Sequence, residues 1–247
     1  MAYIDFKILI TKMSISMGIL DELKNFGSLV YTVGDGCPPN ADGLNALSRA
    51  NAERAAQVAN LHPDSILFIA GGNGGQTSRR GYKIEGYLTE AERMASYIKR
   101  EFHGHIPIIT DCDPGFLNRF EEVQPPILPS TNTIENSRNA AHLISANDNF
   151  RSCDIVAERM HLPRVIGTFR REMQRICHDR HLQLHSHPVD AAFEMDNDQW
   201  HLQSRLQFQL WNALSCMHHL LMGAVPRAEF VKEMVTGNRY RNLEDRR

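Results

Sequence analysis

Cysteine is sparse and scattered in this chain. The five thiols stand at positions 37, 112, 153, 177 and 216, and no two of them form a CxxC pair. That spacing excludes a zinc knuckle, argues against a disulfide framework and suits a reducing compartment. Long apolar runs are missing too, and nothing is of a length to cross a bilayer. The N-terminal "MAYIDFKILITKMSISMGIL" is broken by Asp5, Lys7 and Lys12, so it holds no signal-peptide core. A soluble, cytoplasmic protein without membrane insertion is expected. Excess charge of one sign is also lacking: 27 Lys and Arg face 29 Asp and Glu, and the net charge is −2. The cations are dispersed apart from a partly basic tail, "NRYRNLEDRR", so nucleic acid finds no electrostatic footprint. The chain shows no internal repeat, Walker loop, nucleophile elbow or metal-ligand cluster.

What is present is a regular alternation. The 247 residues, 42% of them hydrophobic, suffice for one large domain with an appendage. Short β-branched runs at 28–36, 65–75, 106–110, 125–129, 153–157 and 182–186 read as strands. Helical periodicity covers 43–61, 89–102, 133–146 and 161–176. Thr89 and Glu92 have capping-box spacing, and Pro163 suits a first helical turn. Strands alternating with helices predict an α/β fold, a parallel sheet with helices on both faces over 28–190. A helical segment at 1–27 precedes it. After 190 the pattern changes: Leu202, Leu206, Leu210, Leu214, Met217 and Leu221 form one stripe, and a shorter helix ends on Gly237. This C-terminal helical extension, 191–247, is expected to cover the sheet edge or to pair two subunits as a homodimer.

In an open parallel sheet, ligands sit beyond the C-terminal strand ends. Four segments converge there. The first strand is followed by Gly34, Asp35 and Gly36, and the second by "GGNGG", with Gly71, Gly72 and Asn73. The candidate strand "PPILP" is followed by "STNTIEN", with Ser130, Thr131, Asn132, Thr133, Glu135 and Asn136. After "CDIVA" come Glu158, His161 and Arg164. Each has a plain structural reading: glycine turns, a helix cap at Asn132 with Glu135 as its third helical residue, a surface histidine, a surface ion pair. Their concurrence on one rim favours a ligand site. "TDCDPG" adds Asp111 and Asp113 after a strand, where an ordinary loop is expected. The His-x-His pairs at 103/105 and 185/187 have no evident third ligand, and with twelve histidines such spacings arise by chance. No metal is expected.

The chain resembles the DUF218 family of SanA-, ElyC- and YdcF-like proteins. The pieces that carry the resemblance occur in the family's order: a glycine-terminated first strand with Arg49 following, "IAGGNG", "TEAERMASYI", "STNTIENSRNA" and "AERMHLPRVIGTFRREM". They span roughly 28–176, and "STNTIEN" is the most specific. The helical tail and the missing membrane segment make the chain similar to the soluble YdcF-like branch. The resemblance implies a Rossmann-like α/β fold with "STNTIEN" lining a pocket. Soluble members are proposed to bind S-adenosylmethionine, and anchored ones are linked to the cell envelope. The chain departs from the family at the end of the "CDIVA" strand, where Ala157 and Glu158 stand in place of a small hydroxyl residue.

Helix N-termini, a glycine loop and Arg164 together suit an anionic ligand group. The first expectation is a nucleotide-like small-molecule enzyme of the transferase type, with S-adenosylmethionine as candidate cofactor. Arg164 would clamp the anion, and Asn132 and Asn136 would orient the ligand. Asp35, Glu135 and Glu158 are available to a sulfonium. His161, Glu90 and Glu135 are the candidate catalytic groups, His161 or Glu90 being the acid–base group. The second expectation is a ligand-binding regulator without turnover. An enzyme acting on a phosphorylated metabolite or envelope precursor is the third.

Overall fold

The computed structural model describes residues 22–34, 43–72, 88–102, 104–123, 127–130 and 132–190, together with 210, 213 and 214. Within them lie five strands: β1 (Ser28–Val33), β2 (Ser65–Ala70), β3 (Ile108–Thr110), β4 (Ser152–Glu158) and β5 (Gln183–Val189). The helices are α1 (Ala46–Leu61), α2 (Glu90–Glu101), α3 (Pro114–Arg119), α4 (Thr133–Ser145) and α5 (Leu162–Ile176). The sheet order is β3-β2-β1-β4-β5, and every pairing is parallel. This is a Rossmann-like arrangement, and its order reverses between β1 and β4.

Side-chain alternation assigns the two faces. All six residues of β1 and all six of β2 are buried, as expected of central strands covered on both sides. Leu29, Tyr31 and Val33, with Ile66 and Phe68, join the core under α4 and α5. Val30, Leu67, Ile69 and Val156 join the core under α1 and α2. Small residues at Ala52, Ala55, Ala56 and Ala59 bring α1 down on the second face. On the first face an aromatic chain runs from Phe169 to Tyr31 (centroids 5.7 Å), Phe68 (6.2 Å) and Phe116 (5.3 Å). It ties α5 through β1 and β2 to α3.

The helix starts follow from capping chemistry. Asn45 accepts from the Ser48 N–H at 2.7 Å. Thr89 and Glu92 form the expected capping box, Thr89 Oγ1 accepting from the Glu92 N–H and Glu92 Oε2 from the Thr89 N–H. The Asn132 side chain accepts from the N–H groups of Ile134 and Glu135, both at 3.0 Å.

Two elements differ from the sequence reading. The described part of "PPILP", residues 127–129, is not in a strand, and it docks by the Gly72 N–H bonding Ser130 O at 2.7 Å. Flanking prolines remove the donors a strand would need. "TDCDPG" is not merely loop, because Asp113 caps α3 by accepting from the Gly115 N–H at 2.9 Å, with Pro114 in the first turn. The expected C-terminal helices, and 1–21 of the N-terminal segment, lie outside the described residues save for 210, 213 and 214. Among the described residues no helix is long and apolar enough to cross a membrane.

Candidate functional site

The C-terminal strand ends carry three polar clusters. The first belongs to the α1/α2 side. Glu90, 3% exposed, opens α2 and accepts from Ser48 Oγ at 2.5 Å. Its carboxyl lies against the turn after β1, so closely that a Cβ on Gly34 would stand 2.2 Å from Glu90 Cδ. A side chain at Gly34 would have to displace the Glu90 carboxyl. Its N–H bonds Ala70 O at 3.0 Å, which joins the exits of β1 and β2.

The second cluster centres on Asp111, fully buried at the end of β3. Its Oδ1 accepts from the Gly71 N–H at 3.2 Å, and its Oδ2 accepts from the Ser130 N–H at 3.0 Å and from the Ser130 hydroxyl. Asn139 Nδ2 reaches the same oxygen at 3.5 Å and Leu128 O at 3.0 Å. One carboxyl thus joins the β2 exit, the 127–130 segment and α4. Burial pushes it above the ordinary aspartate value, and the Ser130 and Gly71 hydrogen bonds pull in the opposite direction. A Cβ at Gly72 would lie 2.4 Å from Ser130 O, so this glycine too is set by close backbone approach.

The third cluster stands where α4 and α5 begin, on the opposite face from Glu90. His161 and Arg164 are 3% and 7% exposed. Arg164 Nη2 lies 2.7 Å from His161 Nε2, and Thr133 Oγ1 lies 3.2 Å from the same nitrogen. Guanidinium nitrogens only donate, so His161 Nε2 accepts from Arg164 and the imidazole is neutral, its proton on Nδ1. Asn136, one turn beyond Thr133, is 6% exposed, and its Oδ1 has no hydrogen-bond partner among the described residues. Helical side chains lean toward the N-terminus, which here is the rim.

A polar seam continues below this cluster between α4 and α5. Ser137 Oγ meets Thr168 Oγ1 at 2.8 Å, and Arg138 Nε meets the buried Glu172 at 3.4 Å. Arg175 bonds Glu172 at 3.0 Å, and Arg180 Nη1 donates to Ile144 O at 2.5 Å.

The expected site residues therefore separate. His161, Arg164, Thr133 and Asn136 gather at the two helix N-termini. Asn132 is the α4 cap, and Glu135 is half-buried in the first turn of that helix. Glu158 Oε2 accepts from the Met160 N–H at 2.7 Å and the His161 N–H at 3.0 Å, so it caps the turn into α5. Gly34 and Glu90 form their own group across the sheet, and Gly71, Gly72 and Ser130 belong to the Asp111 hub. Arg49 is exposed on α1. Asp35, Asn73 and Thr131 lie outside the described residues. Sequence reasoning read Asp111 as a loop residue and passed over Asn139, and the signal was thin, an aspartate directly after a strand.

His187 Nε2 is 2.7 Å from Asp154 Oδ1, and His185 is exposed on the edge strand. Among the described residues no three His, Cys, Asp or Glu side chains gather at metal-binding distance. Cys112, Cys153 and Cys177 are all unpaired thiols. Compared with protein-family models, with curated proteins and with solved structures, the chain matches none.

Proposed function

We propose that this protein binds a small nucleotide-like molecule at the rim between β1 and β4 and acts on it as a transferase, with S-adenosylmethionine as the candidate cofactor. One observation carries the reading: a buried arginine, a buried histidine and an unsatisfied asparagine oxygen sit together where two helices begin. Two helix N-termini and Arg164 supply positive potential for a carboxylate or phosphate. Asn136 Oδ1 supplies an acceptor for a ligand N–H or O–H.

For S-adenosylmethionine this donor set suits the amino-acid carboxylate. The sulfonium fits less directly, because Glu158 is committed to backbone N–H groups. Glu135 stands in the first turn of α4, beside the cluster in sequence. The resemblance to the DUF218 proteins points the same way and rests on the residues alone. A cytoplasmic setting fits the unpaired thiols.

Thermal denaturation with S-adenosylmethionine, S-adenosylhomocysteine, nucleotides and nucleotide sugars tests this, since a ligand specific to the folded state raises its stability. A shift with the sulfonium compound that Arg164→Ala abolishes is the expected result. A shift with phosphorylated compounds alone moves the assignment to a phosphate-recognising protein, and no shift with any of them refutes the site.

A second reading is a binding protein without turnover, and a specific observation favours it. The His161 lone pair is occupied by Arg164, so this imidazole is not poised as a base in the structure. Separate variants divide the two readings. A catalyst loses turnover and keeps its ligand in His161→Gln, whereas a binder loses affinity in Arg164→Ala and has no turnover to lose.

A further inference from the structure

We infer that Arg164 and His161 form a ligand-responsive pair, in which the guanidinium occupies the His161 Nε2 lone pair until a bound anion draws it away and so releases Nε2 to take a proton. The release step rests on the anion-binding reading above. The holding step rests on geometry alone.

An arginine N–H at 2.7 Å from Nε2 is compatible only with an accepting nitrogen. Protonating Nε2 would set two donors against each other and place two cations in contact within a buried site. The imidazole is therefore held neutral by a direct contact. The described groups around it come from two elements. From β4, Glu158 is engaged with the Met160 and His161 N–H groups. From α4 come Thr133 at 3.2 Å and the neutral Asn136, with Glu135 in the same first turn.

An arriving carboxylate or phosphate competes for the same guanidinium, for which a paired anion is the stronger partner. Two changes then act in one direction. The N–H leaves Nε2, and a negative charge arrives nearby. Both favour the imidazolium, formed when Nε2 takes a proton from the ligand or from water. A site built this way keeps its base silent until its anion is seated, which reconciles an occupied lone pair with a catalytic role.

The test uses the full chain with 15N-labelled histidine and two-bond proton–nitrogen spectra. The His161 signals, among twelve histidines, are identified by their loss in His161→Gln. Without added anion, wild type should show the neutral Nδ1–H tautomer near neutral pH. In Arg164→Met the imidazole should take up its proton at higher pH than in wild type. Inorganic phosphate should raise the wild-type midpoint in the same direction and leave Arg164→Met unmoved.

An Nε2–H tautomer in the wild type, or equal midpoints in wild type and Arg164→Met, overturns the pair. Should Arg164→Met not fold, the wild-type tautomer still decides, and Arg164→Lys replaces the fork with a point charge. Phosphate that raises thermal stability while His161 is unchanged overturns the release and spares the anion site. Phosphate without effect on stability or spectrum overturns both.

Discussion

Asp111→Asn tests whether one buried carboxyl holds the rim together. The substitution keeps shape and replaces one accepting oxygen by a donating NH2. If that group takes the Oδ2 position it faces the Ser130 N–H, the Ser130 hydroxyl and Asn139. If it takes the Oδ1 position it faces the Gly71 N–H and the Cys112 thiol. The second is the less costly, and it still leaves one backbone N–H buried without an acceptor. An orphaned buried donor costs roughly 1–3 kcal/mol. With a urea m-value of about 2 kcal/mol per molar, the unfolding midpoint should fall by ~1 M. Far-ultraviolet circular dichroism in a urea series measures it.

Acidity supplies an independent arm of the same test. Burial raises the folded Asp111 carboxyl above 3.8, its ordinary value, so the folded chain holds this proton to higher pH than the unfolded chain does. Stability from this group is therefore full below the unfolded value and lost as pH rises through the folded one. Asparagine does not titrate. The lead of wild type over the variant should thus be greater near about pH 4 than near about pH 7. A variant as stable as wild type refutes the hub, and a lead that shrinks with acid shows the hydrogen bonds outweighing burial at this carboxyl.

Gly34→Ala should destabilise the fold by about 1–3 kcal/mol, as overpacking does, because its Cβ meets the Glu90 carboxyl. The double variant with Glu90→Ala should recover most of that loss in urea unfolding, and simple additivity would show the clash to be elsewhere. Asn132→Ala removes the α4 cap and should cost ~1 kcal/mol by the same assay. An unchanged midpoint would mean that the cap contributes nothing. Tyr31→Phe deletes a buried hydroxyl without a hydrogen-bond partner among the described residues, and should leave stability within roughly 0.5 kcal/mol of wild type. A larger loss, read by thermal unfolding, would place a bond to the neighbouring Ser137 that the distances do not show.

Much of the fold was legible because its signals are local. Alternation and β-branching mark β1, β2 and β4. Thr89 and Asn132 announce helix starts by chemistry within three residues, whereas the Asn45 cap was not read. Polar clusters after strands locate the rim. The failures are non-local. "PPILP" has strand composition, yet its bonding follows from Gly72 and Asn139, which lie far away in sequence. Asp111 looks like any loop aspartate until Gly71, Ser130 and Asn139 close around it. Glu158 has the charge of a ligand partner, and only the turn into α5 shows its oxygen spent on two backbone N–H groups. His161 and Arg164 were visible as a pair three residues apart, but the bond between them depends on rotamers.

The seam between α4 and α5 bears on how the site can adapt. Apolar ridges slide with modest penalty, whereas Thr133 to His161, Ser137 to Thr168, Arg138 to Glu172 and Ile144 to Arg180 index one helix to the other like teeth on a rack. A slip of one turn, about 5.4 Å, would part Glu172 from Arg138 and leave it Arg175 of its own helix, and would separate Ser137 from Thr168. The two helices are thereby set in register, and the spacing of Thr133 from His161 at their tips is set with them. On the proposed reading, substitutions at Glu172, remote from the rim, should change the grip on a ligand they never touch.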